Sequence, residues 1–273
     1  MPDSLPEYAS APLRRFIDSC EDHSRLLHMS MSGIGFLTKR PEALKVLYEP
    51  WSGAAPISEA QAKENEQTLQ QAVEEAEFAK KECEAGFPLL HAHSLVGTWG
   101  ALEAAVEDML VGILVNEPSV LQRDEFAKVK VPLADFEILD KEERMRLVLT
   151  EATRNQGIGR RQGVDVFEHT LMMFDLSGPV EGDVKKSILE MHHLRNVIVH
   201  RASYADRRLV QNCPWLGLKT GENVCVSHND LGRYRSVLLE YVVTLARRLC
   251  TRYGVDIEAK FRSLGSTAGD AAS

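Results

Sequence analysis

The stretch DVKKSILEMHHLRNVIVHRAS, from Asp183 to Ser203, reads as one amphipathic helix. Val184, Ile188, Met191, Leu194 and Ile198 recur at three- and four-residue steps, which sets one stripe against a core. His193, Asn196 and His200 fall together on a second face. Arg195 lies about 140° around the helix from His200 and about 7.5 Å along its axis. A regular helix therefore does not deliver Arg195 and His200 to one atom. Either the arginine reaches around, the helix distorts near its end, or helices from two subunits combine their residues.

Working outward, the pattern stays helical. Leu95, Trp99, Leu102, Val106, Met109 and Ile113 mark a strongly apolar helix over about 89–115, where Gly97, Gly100 and Gly112 are costly unless another backbone comes close. Ser58 with Gln61, and Asp140 with Glu143, have the spacing of helix-opening capping boxes. The helix after Ser58 carries only a thin apolar stripe of Leu69, Val73, Ala76 and Cys83. A first helix is expected from Ser10-Ala11-Pro12 to before Gly33, a further one over Val164 to Phe174, and a last one over Asp230 to Arg252. Trp51 to Pro56 reads as a linker, and residues 119–139 match no pattern. Trp215-Leu-Gly-Leu-Lys and Asn223-Val-Cys-Val-Ser flank Thr220-Gly221-Glu222 and read as a small β-hairpin before the last helix. The expected fold is an all-α helical bundle.

Composition narrows the function classes. No apolar run is long enough to span a membrane, because Glu103, Glu107 and Asp108 interrupt the best one. The opening residues MPDSLPEYAS show neither a basic nor an apolar leader region, so no signal peptide is expected. The five cysteines are scattered without a CxxC, which fits reduced thiols in a cytoplasmic protein better than a disulfide framework. Net charge is −8, against a general polyanion coat, yet residues 154–262 hold 17 Lys+Arg against 12 Asp+Glu. That local basic excess suits phosphate contact.

Arg195 and the histidines of the second face have the chemistry of phosphodiester cleavage. Cutting RNA without a metal takes a base for the 2′-OH proton, an acid for the leaving 5′ oxygen, and positive charge on the crowded phosphorane. Histidine suits both proton tasks because it titrates near neutrality. Arginine suits the third because its planar donors match phosphate oxygens and stay charged. A structural reading stands beside this one: Arg195 and Asn196 could cap neighbouring helices or pair with Glu103 or Glu107.

The Arg195-Asn196-x-x-x-His200 arrangement, on the penultimate long helix and after Ala101-Leu102-Glu103 on an earlier apolar helix, resembles the HEPN domain family. The segment His200-Arg201 through Cys213-Pro214-Trp215-Leu216-Gly217 is similar to uncharacterised bacterial members of RiboL-PSP type. The likeness is clearest over 89–252. It implies a HEPN-like domain over 58–264; residues 1–57 lie outside the likeness and read as an N-terminal helical extension, and the small, polar tail over 265–273 reads as disordered. It further implies a homodimer with the motif lining the interface cleft, and metal-independent endoribonuclease activity leaving a 2′,3′-cyclic phosphate. It points to toxin or anti-phage (abortive infection) duty, with an antitoxin or defence protein as partner. No cofactor and no membrane partner are implied. Arg195 and His200 would be the catalytic pair and Asn196 their support. The alternative is a non-catalytic interaction or RNA-binding module. The toxin-type modified tyrosine two residues after the motif histidine is absent, since Ala202 stands there and Tyr204 follows later.

Other residues are weighed against that frame. His193 shares the face of His200 and is an auxiliary candidate. Glu103 could orient Arg195 or His200 through a charge-assisted hydrogen bond. Arg160, Arg161, Arg201, Arg207 and Arg208, with Lys185 and Lys186, could meet RNA or only solvent. His91 with His93, His192 with His193, and Cys225 with His228 lack the spacing of a metal site, and no metal is expected. Gly157-Ile-Gly159 lacks the third glycine and preceding strand of a dinucleotide fingerprint.

Overall fold

The computed structural model describes residues 4–49 and 57–256; the linker at 51–56 and the tail at 265–273 lie outside them. Among the described residues eleven α-helices follow in order: α1 (Glu7–Leu37), α2 (Arg40–Tyr48), α3 (Glu59–Ala85), α4 (Pro88–Asn116), α5 (Asp124–Ala127), α6 (Leu133–Ile138), α7 (Lys141–Asn155), α8 (Val164–Met172), α9 (Gly182–Arg201), α10 (Arg207–Asn212) and α11 (His228–Tyr253). The all-α expectation holds. Short 3-10 turns at Pro118–Gln122, Ile158–Arg160 and Pro214–Leu216 fill gaps between them.

The most apolar helix sits at the centre. Leu95, Trp99, Leu102, Met109, Leu110 and Ile113 of α4 are fully enclosed, and α1, α7, α9 and α11 pack around them. Burying side chains of this size supplies about 1.5–3 kcal/mol each. Ala9, Leu13, Phe16, Cys20 and Leu27 of α1 belong to the same continuous core, so the N-terminal helix is part of the packing that supports α4.

Two of the costly glycines explain that packing. Pro12 lies inside α1 and has no N–H to give the Tyr8 carbonyl one turn earlier. That carbonyl presses on Gly112, where any Cβ would collide with it. One end of the same interface is closed by the His23 ring, whose Nε2 would lie 2.8 Å from a Cβ on Gly97. Gly100 has open space around it and plays no such part.

The capping boxes read from sequence mark real helix starts. Ser58 accepts from the Gln61 N–H at 3.2 Å, and Asp140 and Glu143 exchange both bonds of a full box. A third box, Ser227 with Asp230, opens α11 two residues earlier than expected. Other boundaries differ. α1 begins at Glu7 and runs through Gly33 to Leu37, because a glycine weakens a helix without ending it. In α3 the buried residues are Ala72 and Ala79, not the larger Leu69 or Val73, since small side chains let a neighbouring backbone close in.

The expected hairpin is corrected. Among the described residues there is no extended strand, only an isolated antiparallel bridge between Tyr204 and Asn223. Pro214 starts a 3-10 turn, and the Trp215 indole N–H is drawn to Glu190 at 2.5 Å. The 221–224 segment therefore pairs with 203–205: Val224 N–H donates to the Ser203 carbonyl at 2.7 Å, and Ala205 N–H to that of Glu222 at 2.8 Å.

Helix α11 fastens the bundle through carboxylates on three other elements. Glu190 of α9 receives Arg233 at 2.7 Å and Tyr234 at 3.0 Å. Glu168 of α8 receives Tyr241 at 2.8 Å and Arg248 at 2.8 and 3.0 Å. Glu117, just past α4, receives Arg252 at 2.6 Å, the Tyr253 hydroxyl, and Tyr8 of α1 at 3.1 Å. A carboxylate withdrawn from water is tolerable only when paired and hydrogen-bonded in this way. The clamp on Glu190 fixes α9, which carries the candidate site.

Candidate functional site

The end of α9 shapes the site. Its C-cap, Ala202, has φ 49° and ψ 41°, and Ser203 follows with φ 67°. Two successive side-chain-bearing residues in the left-handed region store strain. The 221–224 pairing holds them there, as do the Ala202 and Ser203 N–H groups, which both donate to the Val197 carbonyl. This reversal folds α10 back beside the last turns of α9. Asp206 caps α10 by accepting from the Leu209 N–H at 2.8 Å.

Between the two helices lies a cleft of about 350 Å³. Its wall from α9 carries His192, His193, Asn196, Val197, His200 and Arg201. Asp206 and Arg208 come from the α10 side, and Gln162 from the loop before α8. A larger cavity of about 580 Å³ lies between residues 179–184 and α11, but its charged groups are Glu181, Glu240 and Arg247, with no imidazole. The smaller cleft is the one with chemistry.

The polar groups of the cleft divide into engaged and free. His193, almost wholly buried, shares a hydrogen bond with Gln162 at 3.1 Å. Asn196 Oδ1 accepts from Arg195 Nη1 at 3.1 Å, and Arg195 Nη2 pairs with Glu103 at 3.4 Å. Among the described residues, the side chains of His192, His200, Arg201 and Arg208 make no hydrogen bond or ion pair, and all four line the cleft.

Burial and neighbouring charge tune the inner histidines. Burial pushes His192 down to about 4, and His193 and the Arg195 guanidinium push the same way. Its ring lies edge-on to Trp99 at 5.8 Å and to His193 at 5.2 Å. Burial also lowers His193, with Asp206 opposing and Arg208 adding to the shift. Both imidazoles are thus neutral at neutral pH. His200 is exposed at the mouth.

Neither a known protein family, nor a characterised protein, nor a solved structure matches the chain.

The site residues expected from sequence separate as follows. His193, Asn196, His200, Arg201 and Arg208 meet in one cleft. Arg195 does not line it, and reaches it through its hydrogen bond to Asn196 and its charge on His192. Glu103 pairs with Arg195, while Glu107 is taken by Arg146 at 2.7 Å. Arg160, Arg161 and Arg207 are exposed outside the cleft, and Lys186 lies 4.9 Å over the Trp215 ring. His192, Gln162 and Asp206 are additions that the sequence reading did not single out as site residues. His192 sits one turn before Asn196 on the same stripe, so the helical wheel carried its signal. Among the described residues no group of three or more His, Cys, Asp or Glu could hold a metal. No helix among them is long and apolar enough to cross a membrane. Cys20 and Cys213 are buried, and burial raises their thiols to about 11 and about 12, which makes them poor nucleophiles.

Proposed function

We propose that the protein is a HEPN-type, metal-independent endoribonuclease, acting as a homodimer in toxin or anti-phage defence. One observation carries the reading: histidines, and arginines without an ion pair among the described residues, converge on a single cleft at the end of α9. In the reaction the 2′-OH oxygen attacks the adjacent phosphorus. The bond from O2′ to phosphorus forms as the bond to O5′ breaks, which leaves a 2′,3′-cyclic phosphate and a free 5′-OH. One imidazole takes the 2′-OH proton and another returns a proton to O5′. His200, open to solvent, moves protons, and a dimer brings a second copy of it. Guanidinium charge around the cleft stabilises the phosphorane. Exposed Val199 and Tyr204 beside the cleft offer apolar surface for the partner protomer.

A second reading is a non-catalytic binding module. It is favoured by the engagement of Arg195 with Glu103 and Asn196 of its own chain. The deciding experiment is RNA cleavage in EDTA by wild type, His200→Ala and Arg195→Ala. Cyclic-phosphate ends from wild type, lost in His200→Ala and strongly reduced in Arg195→Ala, support the nuclease. Intact tRNA, mRNA and total RNA, bound without cutting, support the binding module.

A further inference from the structure

Arginine carries five N–H donors and no acceptor. The Asn196 atom that meets Arg195 at 3.1 Å is therefore its carbonyl oxygen, and its NH2 group is the part left to face the cleft it lines. Arg195 is itself held from behind by Glu103 at 3.4 Å. Glu103, Arg195 and Asn196 thus form a relay from α4 through α9 that ends on an oriented amide donor. The side chains of Arg201, the last residue of α9, and Arg208, the second of α10, reach the cleft and have no partner among the described residues. The left-handed pair Ala202 and Ser203 turns the chain back between them, so that both cations reach the same cleft.

We infer that Arg195 is a positioning residue that aims the Asn196 amide, and that Arg201 and Arg208 are the groups that hold the RNA phosphate. The inference rests on the reading of this cleft as an RNA site. In the phosphorane the Asn196 NH2 donates to a non-bridging oxygen, and the two guanidiniums offset its charge. Arg195 contributes through the fixed direction of that donor, because a preset donor costs no reorganisation as charge develops. No proton passes through the relay.

The test counts phosphate contacts. Binding of the full chain to a single-stranded, fully 2′-O-methylated RNA, which lacks the attacking hydroxyl, is measured by fluorescence anisotropy across a salt series. Each phosphate contact removed makes the slope of log K against log salt shallower by about 0.7. Arg201→Ala and Arg208→Ala are each expected to lose that step, and Arg195→Ala is expected to keep the wild-type slope. In cleavage, Arg195→Ala lowers kcat by about 10²-fold, the scale of one lost oxyanion donor, with KM nearly unchanged. Arg208→Ala mainly raises KM. Arg195→Lys, which still donates to Asn196, recovers part of kcat. In an Asn196→Ala background, Arg195→Ala costs nothing further. A shallower slope for Arg195→Ala, or losses that multiply in the double variant, overturns the inference. Absence of cutting by wild type defeats the nuclease reading alone, since the binding slopes decide this one; absence of any RNA binding defeats both.

Discussion

The Tyr8 carbonyl stands where a Cβ on Gly112 would lie, so that no side chain larger than hydrogen fits between α1 and α4 there. Gly112→Ala must push the two helices apart where they meet at half-buried Tyr8 and Gly112. The expected loss is about 1–3 kcal/mol, the usual cost of overpacking a core. Gly100→Ala, on the same helix with open space around it, is expected to gain up to about 1 kcal/mol from helix propensity. Urea unfolding of both variants reads the contrast, and equal shifts would refute the role given to Gly112.

Arg248 and Glu168 form the most enclosed of the clamps on α11. Arg248→Ala leaves the carboxylate with Tyr241 and the Gly178 N–H but without a counter-charge. Breaking a buried pair from one side costs about 3–5 kcal/mol. Arg248→Ala is expected to lie in that range by denaturant unfolding, well above the effect of removing the exposed Arg25, which pairs with Glu21 on the surface of α1.

Two groups give stability an acid dependence of known sign. Burial opposes ionisation of Glu117, but hydrogen bonds from Tyr253 and Arg252 outweigh it and hold its carboxyl below the usual value. A lowered folded value means the contribution is present above the unfolded pKa and lost as pH falls through the folded one. Glu117→Gln is therefore expected to flatten the most acidic part of the stability curve. His192 acts earlier. The unfolded chain protonates it near about 6.5, while the folded protein keeps it neutral down to about 4. Stability should fall across that window, and His192→Gln should flatten the fall. Thermal melts carried from about pH 7 down to about pH 2 check both slopes.

Ala202 occupies a helix end where glycine is the usual residue. Ala202→Gly removes a left-handed Cβ, worth about 1–2 kcal/mol in the helical case. Part of that gain is lost to the added freedom of the unfolded chain. A net rise of about 1 kcal/mol is expected by thermal unfolding, with RNA binding unchanged because Ala202 does not line the cleft. A destabilised Ala202→Gly would mean that the turn is not strained.

Much of this could be read before the structure. The two faces of α9 follow from helical periodicity, and the boxes at Ser58 and Asp140 from local hydrogen bonding. The placements that the sequence leaves open depend on partners far away along the chain. Trp215 leaves the expected strand because Glu190, 25 residues earlier, takes its indole N–H. Gln162 enters the cleft through His193, 31 residues on. Arg195 falls outside the cleft because Glu103, 92 residues earlier, draws it to the other side of Asn196. No local pattern encodes those distances. They are set by which helices pack together, and the carboxylates that select that packing look like ordinary surface charge in a linear sequence.

The node at Glu117 has a consequence for chain connectivity. Tyr8 of α1 and Tyr253 of α11 meet there edge to face, with ring centres 6.5 Å apart, on one carboxylate. The outermost helices of the described chain thus lie side by side, and their order along the backbone is a formality of synthesis. A circular permutant, with a short linker joining the two and a new opening cut in the exposed segment after Lys128, keeps the node, α4 and the α9 cleft intact.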